Sequence, residues 1–292
     1  MIYITGSSGF LGKYLVAHLK REKINFERIC FRNIVKNKKI NYRILNALFK
    51  NKNIILIHLA WGWMSEPNSS NHVSNFKNSK ILFNFSLKNN FRKVIFLGSI
   101  NEYGSSHLGP LDEKAKTKNI DTEYGRKKLK VTKYGLNLFK NSNTEFYSLR
   151  SSYIYGPFQR SGTLIDQIFK NLKSKKILRL SKCLGYRDYV YVGDVVRAIM
   201  AIVLNNNKKI EQGIYNIGSG KCIMIKYFIL KILKKLKFKK NLIKFGALPE
   251  RKEQKQNAFF LVNKKLKNNF RFKKVVDINH GINLIIKERK LT

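Results

Sequence analysis

Tyr124 and Lys128 are the two residues whose types and spacing most directly indicate chemistry. They are four positions apart in the segment YGRKK, so a helix there would place both on one face. An ammonium beside a phenol favours the phenolate, which lowers the pKa of the phenol and lets it exchange a proton with a carbonyl or an alcohol. This spacing is also common by chance, and an exposed pair on a helix surface is the alternative.

Ser99 is the third candidate in this constellation. It follows the apolar run that begins at Lys93, in the segment LGSINEYG. A hydroxyl at the carboxyl edge of a sheet can hydrogen-bond a reacting oxygen and align it with Tyr124, whereas a serine that only caps a turn is the alternative. The conjunction of a strand-end serine, a Tyr-x-x-x-Lys pair and a cofactor site indicates a catalytic site far more specifically than any one of these features. The interpretation therefore also requires a cofactor site.

A glycine-rich segment near the N-terminus meets that requirement, because residues 4–12 read ITGSSGFLG. A strand, a tight glycine turn and a helix expose backbone N–H groups at the positive end of the helix, where the pyrophosphate of a dinucleotide binds. The first glycine would allow the turn, the second the approach of the phosphates, and the third the packing of helix on strand. A strand–helix turn without a ligand is the alternative. The predicted cofactor-binding residues of the turn are Gly6, Ser8, Gly9, Phe10, Leu11 and Gly12.

The residue after the second predicted strand helps to select between NAD and NADP. An acidic side chain there would bind the adenosine ribose hydroxyls of NAD, but the sequence reads RICFRN and has Arg32 at this place. A guanidinium suits a 2′-phosphate through a bidentate, charge-assisted contact. We therefore expect NADP as the cofactor, with NAD as the alternative. An exposed arginine with no ligand is the competing explanation of Arg32.

Alternating strand-like and helical segments would bring these residues together. Continuous apolar runs separated by amphipathic stretches predict a parallel sheet covered by helices on both faces, the α/β, doubly wound Rossmann class. We expect a dinucleotide-binding domain over 1–157 and a mainly substrate-binding part over 158–292, with 186–218 returning to the Rossmann core. The predicted strands are Met1–Thr5, Phe26–Phe31, Ile54–Leu59, Lys93–Gly98 and Phe146–Arg150, and the predicted helices include Leu11–Arg21 and Asn75–Leu87.

The composition limits the class of protein and its partners. The chain of 292 residues has 59 Lys and Arg against 17 Asp and Glu, a formal charge of +42 that would attract anionic ligands. Because the basic residues are spread along the whole chain, we favour a biased genome composition over a nucleic-acid or membrane footprint. The basic stretch 223–240 is expected to be a core-packed helix with a lysine-covered outer face. No apolar run could cross a bilayer, and three isolated cysteines predict a cytoplasmic protein with neither a disulfide nor a metal site.

Together these segments resemble the extended short-chain dehydrogenase/reductase family, the NAD(P)-dependent nucleotide-sugar epimerases, dehydratases and reductases. The resemblance covers nearly the whole chain. Its marks are TGSSGFLG, IHLAW at 57–61, NFKNSKIL at 75–82, LGSINEYG, YGRKK, LRSSYIYGP at 149–157, GYRDYVYVGDVVRA at 185–198 and GIYNIGSG at 213–220.

The resemblance implies a role for each candidate. The serine, tyrosine and lysine named above correspond to the catalytic triad, and the lysine also holds the nicotinamide ribose. Leu59 and Ala60 would line the cofactor groove. Arg187 and Arg251 match arginines that bind the pyrophosphate of the nucleotide sugar, while Ser99 and Tyr124 would contact the reacting sugar.

Departures from the family pattern narrow the expected activity. Ile100-Asn101 stand where sugar 4,6-dehydratases carry an Asp-Glu pair for the loss of water, so dehydration is not expected. Tyr153 replaces an asparagine that contacts the sugar nucleotide in epimerases, and Trp61 and Trp63 follow HLA, where a small residue is common. The IHLAWG segment and the short chain are similar to those of NDP-4-keto-6-deoxysugar reductases.

The sequence therefore predicts an NADP-dependent reduction of a keto group, at C4 of a nucleotide-linked deoxysugar, with Tyr124 as the proton donor. An NAD(P)-dependent nucleotide-sugar epimerase is the nearest alternative. A non-catalytic family member that binds RNA through its basic surface is the alternative of another class, although no specific nucleic acid is expected as a partner. The family often dimerises, so a homodimer is also considered.

Overall fold

A six-stranded sheet organises the fold in the computed structural model, which describes residues 1–30, 53–159, 161–174, 176–237, 242–250, 258–273 and 275–288, with the backbone of 35–36 and 39–40. Its strand order is β2-β1-β5-β6-β8-β13. The strands of the described chain are β1 (Ile2–Thr5), β2 (Phe26–Ile29), β3 (Val35–Lys36), β4 (Lys39–Ile40), β5 (Ile55–His58), β6 (Lys93–Ser99), β7 (Gly109–Leu111), β8 (Glu145–Ser151), β9 (Tyr153–Tyr155), β10 (Leu178–Arg179), β11 (Tyr186–Arg187), β12 (Tyr189–Tyr191), β13 (Gly213–Ile217), β14 (Ile223–Met224), β15 (Ile243–Lys244) and β16 (Phe259–Leu261).

The strand order reverses between β1 and β5. β1 pairs in parallel with β2 on one side and with β5 on the other, and β5 pairs in parallel with β6. Such a reversal is the point of a doubly wound sheet at which ligands bind, beyond the carboxyl ends of the strands. The predicted α/β, doubly wound class is confirmed.

The helices alternate with these strands. They are α1 (Phe10–Arg21), α2 (His72–Lys88), α3 (Glu123–Phe139), α4 (Leu164–Ser174), α5 (Val192–Leu204), α6 (Ile225–Lys235), α7 (Lys264–Asn269) and α8 (Ile278–Glu288), and a 3₁₀ turn covers Ile100–Glu102. The predicted helix at 11–21 corresponds to α1, and the helix predicted to begin at residue 75 starts three residues earlier, at the beginning of α2.

Local sequence explains why α3 forms where it does. Thr122 precedes the helix, and its Oγ1 accepts the Gly125 N–H at 3.1 Å, which satisfies one of the donors that a helix N-terminus leaves unpaired. Glu123 adds an acidic side chain to the first turn, where it is favoured by the helix dipole. On the buried face, Gly135 lets the helix approach Phe146, because a Cβ there would lie 2.2 Å from the phenyl ring.

Aromatic residues form the core that α2 and α3 share with the sheet. The side chains of Phe83, Phe96, Phe139 and Phe146 are buried, and neighbouring ring centroids lie 5.3 to 6.0 Å apart. Edge-to-face, tilted and stacked ring pairs of this kind stabilise a core beyond the area they bury. The cluster includes a residue of α3, the helix that carries the candidate tyrosine and lysine.

The described chain divides into two compact units. The first comprises Met1–Glu102, Thr122–Arg150 and Ile199–Tyr215, and the second comprises Tyr103–Asp121, Ser151–Ala198 and Asn216–Thr292. In the second unit the buried Asp188 carboxylate accepts hydrogen bonds from the Ser219 N–H and hydroxyl and from the Leu261 N–H. The predicted division into cofactor and substrate domains at residue 157 stays a prediction.

The basic stretch 223–240 contains a core-packed helix, as expected. In α6 the side chains of Phe228, Ile229, Ile232 and Leu233 are buried, and the Phe228 ring stacks on Tyr189 with centroids 4.1 Å apart. Lysines occupy other positions of the helix, and residues 238–240 lie outside the described part of the chain. Of the helices described, none has the combination of length and apolar character that a membrane crossing requires.

Candidate active site

The glycine turn brings the ends of β1 and β5 together. Gly6 has a φ of +72°, a conformation that glycine adopts at little cost. A Cβ at this position would lie 2.6 Å from the Ala60 backbone nitrogen, so no other residue fits without displacing the backbone. The Ala60 N–H donates to the Thr5 hydroxyl at 3.3 Å. The turn after β1 and the segment after β5 therefore meet at the point where the strand order reverses.

The turn has the shape and polarity of an anion cradle. Gly9 is the exposed N-cap of α1, no side chain caps the helix, and its first turn contains no acidic residue. A Cβ on Gly12 would lie 2.2 Å from the Gly6 carbonyl oxygen, so this glycine allows the helix to start directly against the turn. Backbone N–H groups at a helix N-terminus bind phosphate. These residues thus fit the pyrophosphate of a dinucleotide.

The other predicted cofactor residues that the structure describes differ in exposure and in contacts. Ser8 is exposed, and the side chain of Phe10 is half-buried with its ring 5.6 Å from that of Tyr14. Leu11 is buried in the core, so only its backbone could face a ligand. Leu59 is half-buried just beyond β5, where its N–H donates to the Thr5 carbonyl at 3.2 Å. Arg32 lies outside the described residues.

A buried histidine fixes the end of β5. The Thr5 hydroxyl lies 2.6 Å from His58 Nδ1, and His58 Nε2 lies 2.9 Å from the Ser79 hydroxyl, which donates to the Asn75 carbonyl at 2.8 Å. Since Ser79 donates onward, His58 donates through Nε2 and accepts through Nδ1. Burial, with a smaller effect from the nearby Lys128, lowers the pKa of His58 to about 3. The imidazole is therefore a neutral link that ties α2 to the sheet.

Lys128 is a buried lysine on the same helix as Tyr124. Its Nζ donates to the Leu97 carbonyl of β6 at 2.6 Å and lies 4.0 Å from the centroid of the Trp61 ring, 4.6 Å from that of Phe96 and 5.8 Å from that of Tyr124. Burial lowers the pKa of Lys128 to about 7, although the carboxylate of Glu102 opposes this shift. Lys128 can therefore change its charge near neutral pH.

Tyr124 lies one turn before Lys128 on α3, as the spacing predicts. The Tyr124 N–H donates to the Pro67 carbonyl at 2.8 Å, which fixes the first turn of α3 against the loop that follows β5. Its ring is half-buried and makes edge contacts with Trp61 and His72, at 5.9 and 5.7 Å between centroids. The phenol is thus held by two aromatic side chains that sequence reasoning did not assign to it.

Ser99 is the last residue of β6, which confirms the predicted strand-end position. Its N–H donates to Glu102 Oε1 at 2.8 Å, and its hydroxyl accepts the Asn101 N–H at 3.2 Å. The other Glu102 oxygen is 2.9 Å from Arg150 Nε, and both side chains of this ion pair are almost completely buried. Gly98 makes room for the carboxylate, because a Cβ there would lie 2.6 Å from Glu102 Oε1.

Of the two predicted substrate arginines, the structure describes one. Arg187 lies on β11 in the second unit, where its guanidinium carbon is 4.9 Å from the centroid of the Tyr153 ring and Nη1 donates to the Tyr186 carbonyl at 2.6 Å. Tyr153, the residue that departs from the family asparagine, is therefore the stacking partner of Arg187. Arg251 lies outside the described residues.

Sequence reasoning missed the contributions of four residues to this site. Glu102 was not singled out, although it follows Ser99 closely in INEYG, and the buried His58 and His72 were not assigned a role. A lone histidine is more often a satisfied core residue than a ligand, so the residue type gave no signal at either position. Trp61 was noted only as bulk, because a one-dimensional pattern does not indicate that its ring faces Lys128.

The protein combines a phosphate cradle at the switch point of a doubly wound sheet with a tyrosine and a buried lysine on one face of α3. These features define a class of NAD(P)-dependent oxidoreductase. The chain belongs to the NAD dependent epimerase/dehydratase family, whose model matches residues 2–218. The resemblance to the extended short-chain dehydrogenases/reductases is confirmed.

Three known proteins illustrate the relationship. The chain is 24% identical to the CDP-abequose synthase of Salmonella typhimurium strain LT2, over 98% of this chain and 97% of that protein. It is 25% identical to a dTDP-4-dehydro-6-deoxyglucose reductase of Escherichia coli, over 98% of this chain and 96% of that protein. The crystal structure of UDP-glucose 4-epimerase from Thermotoga maritima, with UDP-glucose, matches 100% of this chain and 99% of that one at a TM-score of 0.82 and 22% identity, which supports the fold.

Proposed function

We propose that the protein is an NADP-dependent reductase that acts on the C4 keto group of a nucleotide-linked 6-deoxysugar. The observation that carries this proposal is the pairing of Tyr124 with Lys128, whose Nζ is 5.8 Å from the tyrosine ring centroid. Ser99 adds a hydroxyl at the end of the strand whose Leu97 carbonyl binds the same lysine. This set of three groups matches the demands of proton transfer to a carbonyl oxygen.

Each of the three side chains has a separate task in the proposed reaction. The bound dinucleotide would supply the hydride. Tyr124 donates its phenolic proton to the keto oxygen, while the Ser99 hydroxyl hydrogen-bonds that oxygen and holds it in line. The Lys128 ammonium stabilises the phenolate that remains, and it offers N–H donors to the ribose beside the nicotinamide. General acid catalysis of this kind contributes about 100- to 10,000-fold in rate.

Reduction is favoured over dehydration because the described residues that follow Ser99 offer no available acid–base pair. The two residues after Ser99 are Ile100, which is buried, and Asn101. Glu102, the first carboxylate beyond them, accepts the Ser99 N–H with one oxygen and pairs with Arg150 through the other. A carboxylate used in this way supports the turn and is poorly suited to remove a proton from a sugar.

The preference for NADP rests on the residues after β2. β2 ends at Ile29, which pairs with Thr5 at the end of β1, and the NADP assignment uses the four residues that follow in the sequence. They read Cys-Phe-Arg-Asn and contain no acidic residue to bind the 2′-hydroxyl of NAD. We assign Arg32 to the 2′-phosphate.

A deoxysugar substrate is favoured by the names of the full-length relatives, a CDP-abequose synthase and a dTDP-4-dehydro-6-deoxyglucose reductase. Arg187 and Arg251 are proposed to bind the pyrophosphate of the substrate. Tyr153 would hold the Arg187 guanidinium flat by stacking at 4.9 Å, in place of the polar contact that an asparagine makes. The cytoplasmic location and the homodimer stay predictions.

The test of the function is a spectrophotometric assay with NADPH and a panel of NDP-4-keto-6-deoxysugars. We expect stoichiometric loss of absorbance at the NADPH band with at least one sugar. The alternative is a nucleotide-sugar epimerase, a class whose member UDP-glucose 4-epimerase has a similar fold. An epimerase would interconvert sugars without net consumption of cofactor. No consumption with any member of the panel contradicts the reductase proposal.

The cofactor preference has its own test. Binding of NADPH and NADH is measured by fluorescence titration of the wild type and of Arg32→Glu. We expect the wild type to bind NADPH more tightly and the variant to reverse the order, because a carboxylate repels the 2′-phosphate and accepts from the ribose hydroxyl. Equal affinities in the wild type contradict the assignment of Arg32.

A further inference from the structure

Lys128 poses a physical problem, because a buried cation normally has a counterion. Its side chain is 2% exposed, and in the described part of the chain no carboxylate lies within salt-bridge distance of Nζ. The Glu102 carboxylate interacts electrostatically with Lys128, but it already engages Ser99 and Arg150. An uncompensated charge in such an environment is costly. Some other feature must therefore help to hold the ammonium there.

Aromatic rings surround the Lys128 ammonium. Its Nζ lies 4.0, 4.6 and 5.8 Å from the ring centroids of Trp61, Phe96 and Tyr124. The electron-rich face of a ring attracts a cation within about 6 Å, tryptophan most strongly, and the attraction is larger away from water. Trp61 is both the nearest ring and the strongest type, so it makes the largest contribution to this aromatic cage.

The Trp61 ring is itself held in place from behind. Its Nε1–H donates to His72 Nδ1 at 3.1 Å, and His72 Nε2–H donates to the Glu66 carbonyl at 3.0 Å, which fixes the neutral tautomer of the buried histidine. The rings of Trp61 and His72 also stack, with centroids 6.2 Å apart. The Asn75 side chain bonds both backbone groups of Gly62, at 3.0 and 3.2 Å. The indole therefore has a single orientation over Lys128.

We propose that Trp61 is a positioning residue of this enzyme: its indole, anchored by His72, holds the Lys128 ammonium charged and in place beside Tyr124. This inference rests on the proposed function only for its consequence in catalysis. The effect on the lysine itself is a property of the protein without cofactor. Trp61, His72, Tyr124 and Lys128 all belong to the first unit, so the proposal uses contacts within that unit only.

The experiment exploits the small number of tryptophans. The chain contains 2 tryptophans, and Trp63 is 47% exposed, so Trp63→Leu gives a protein whose sole indole is Trp61. Fluorinated tryptophans are incorporated into this background, because added fluorine weakens the attraction of the ring for a cation with little change of shape. Trp61→Leu and Trp61→Phe are made in parallel, and Trp63→Leu with ordinary tryptophan is the matched control.

The readout is the titration of Lys128 in the cofactor-free protein, followed by NMR of labelled lysine Cε and Nζ and assigned with Lys128→Met. We expect the pKa of Lys128 to fall by roughly 0.5 to 1 unit in Trp61→Leu, since loss of the ring disfavours the ammonium. Fluorination should lower it in steps, Trp61→Phe should restore most of the value, and the control should match the wild type. The other groups facing Lys128, namely Glu102, His58 and Tyr124, are the same in all variants.

Several outcomes would overturn the inference. An unchanged Lys128 pKa across the fluorinated series shows that the ring does not stabilise the charge. A raised pKa in Trp61→Leu shows that the indole only excludes water. If Trp61→Leu does not fold, the fluorinated series alone decides, since it preserves the shape of the side chain.

Activity separates this inference from the proposed function. In Trp61→Leu we expect the pH at which kcat begins to change to move by the same amount as the Lys128 pKa, with the KM for NADPH nearly unchanged. If the wild type reduces no sugar but the lysine titration shifts as expected, the proposed function fails and the positioning role stands. If the wild type is active and Trp61→Leu titrates like it, the positioning role alone fails.

Discussion

Lys93 and Lys128 are two buried lysines located at opposite ends of β6. The Lys93 side chain is 0% exposed at the start of the strand, and that of Lys128 is 2% exposed, bonded to Leu97 near its end. Lys93 Nζ donates to the Ile202 carbonyl at 2.9 Å and to the Asn205 carbonyl, and it lies 3.7 Å from a Glu145 carboxylate oxygen. Burial lowers the pKa of both lysines.

The difference lies in what surrounds each ammonium. Lys93 donates hydrogen bonds to two carbonyls at the C-terminal end of α5 and has a carboxylate within salt-bridge distance, so it caps a helix and has little left for a ligand. Lys128 makes one hydrogen bond within the described chain and otherwise faces aromatic rings. Ring faces attract a cation without accepting all its donors. Burial alone therefore does not distinguish the two lysines, whereas the donors that Lys128 leaves unused within the described chain do.

The largest expected effect is on turnover. Lys128→Met should lower kcat about 100- to 10,000-fold, because the phenolate of Tyr124 loses its cationic partner. Lys93→Met should keep nearly the wild-type kcat per folded molecule, since its contacts lie at the other end of the strand. Initial rates of NADPH oxidation, corrected for the folded fraction by circular dichroism, test this. Equal losses in the two variants would abolish the distinction.

Stability should respond in the reverse order. Lys93→Met removes a buried cation from two carbonyls and a carboxylate and should lower the free energy of unfolding by about 3 kcal/mol. Lys128→Met should be at least as stable as the wild type at pH 7, because it removes an incompletely compensated buried charge. Urea unfolding of both variants measures the difference. A stable Lys93→Met would mean that its hydrogen bonds are dispensable.

A smaller effect should appear in the dependence of stability on pH. The pKa of Lys128 is about 7 in the folded protein, against about 10.4 for an unfolded lysine. Between these values the unfolded state binds more protons, so the contribution of Lys128 to stability rises with pH and levels off above the higher value. From pH 7 to pH 10, the unfolding free energy of the wild type should therefore increase relative to that of Lys128→Met. A constant difference would contradict the lowered pKa.

Features set by local sequence were predictable. Ser99 at the end of an apolar run and Tyr124 and Lys128 at helical spacing follow from the periods of strand and helix, and the Thr122 cap explains the start of α3. The glycine turn was also predictable, because a left-handed φ and a close backbone approach require glycine at Gly6.

Contacts across long sequence separations were not predictable from these patterns. The indole of Trp61 contacts Lys128, which lies far from it in the sequence. Glu102 pairs with Arg150, 48 residues away. Nothing in residue type or spacing specifies such pairs, since they depend on how β5, β6 and α3 pack. The enclosure of Lys128, which sets its charge, could therefore be found only in three dimensions.

The central claim, that Tyr124 is the proton donor beside Lys128, is tested most directly by single-turnover oxidation of NADPH in Tyr124→Phe. Tyr134→Phe is the matched control, because Tyr134 lies on the same helix and its hydroxyl donates to the exposed Asn84 at 2.8 Å. We expect Tyr124→Phe to lose about 100- to 10,000-fold in rate with unchanged NADPH affinity, and Tyr134→Phe to react like the wild type. A full rate in Tyr124→Phe would contradict the account.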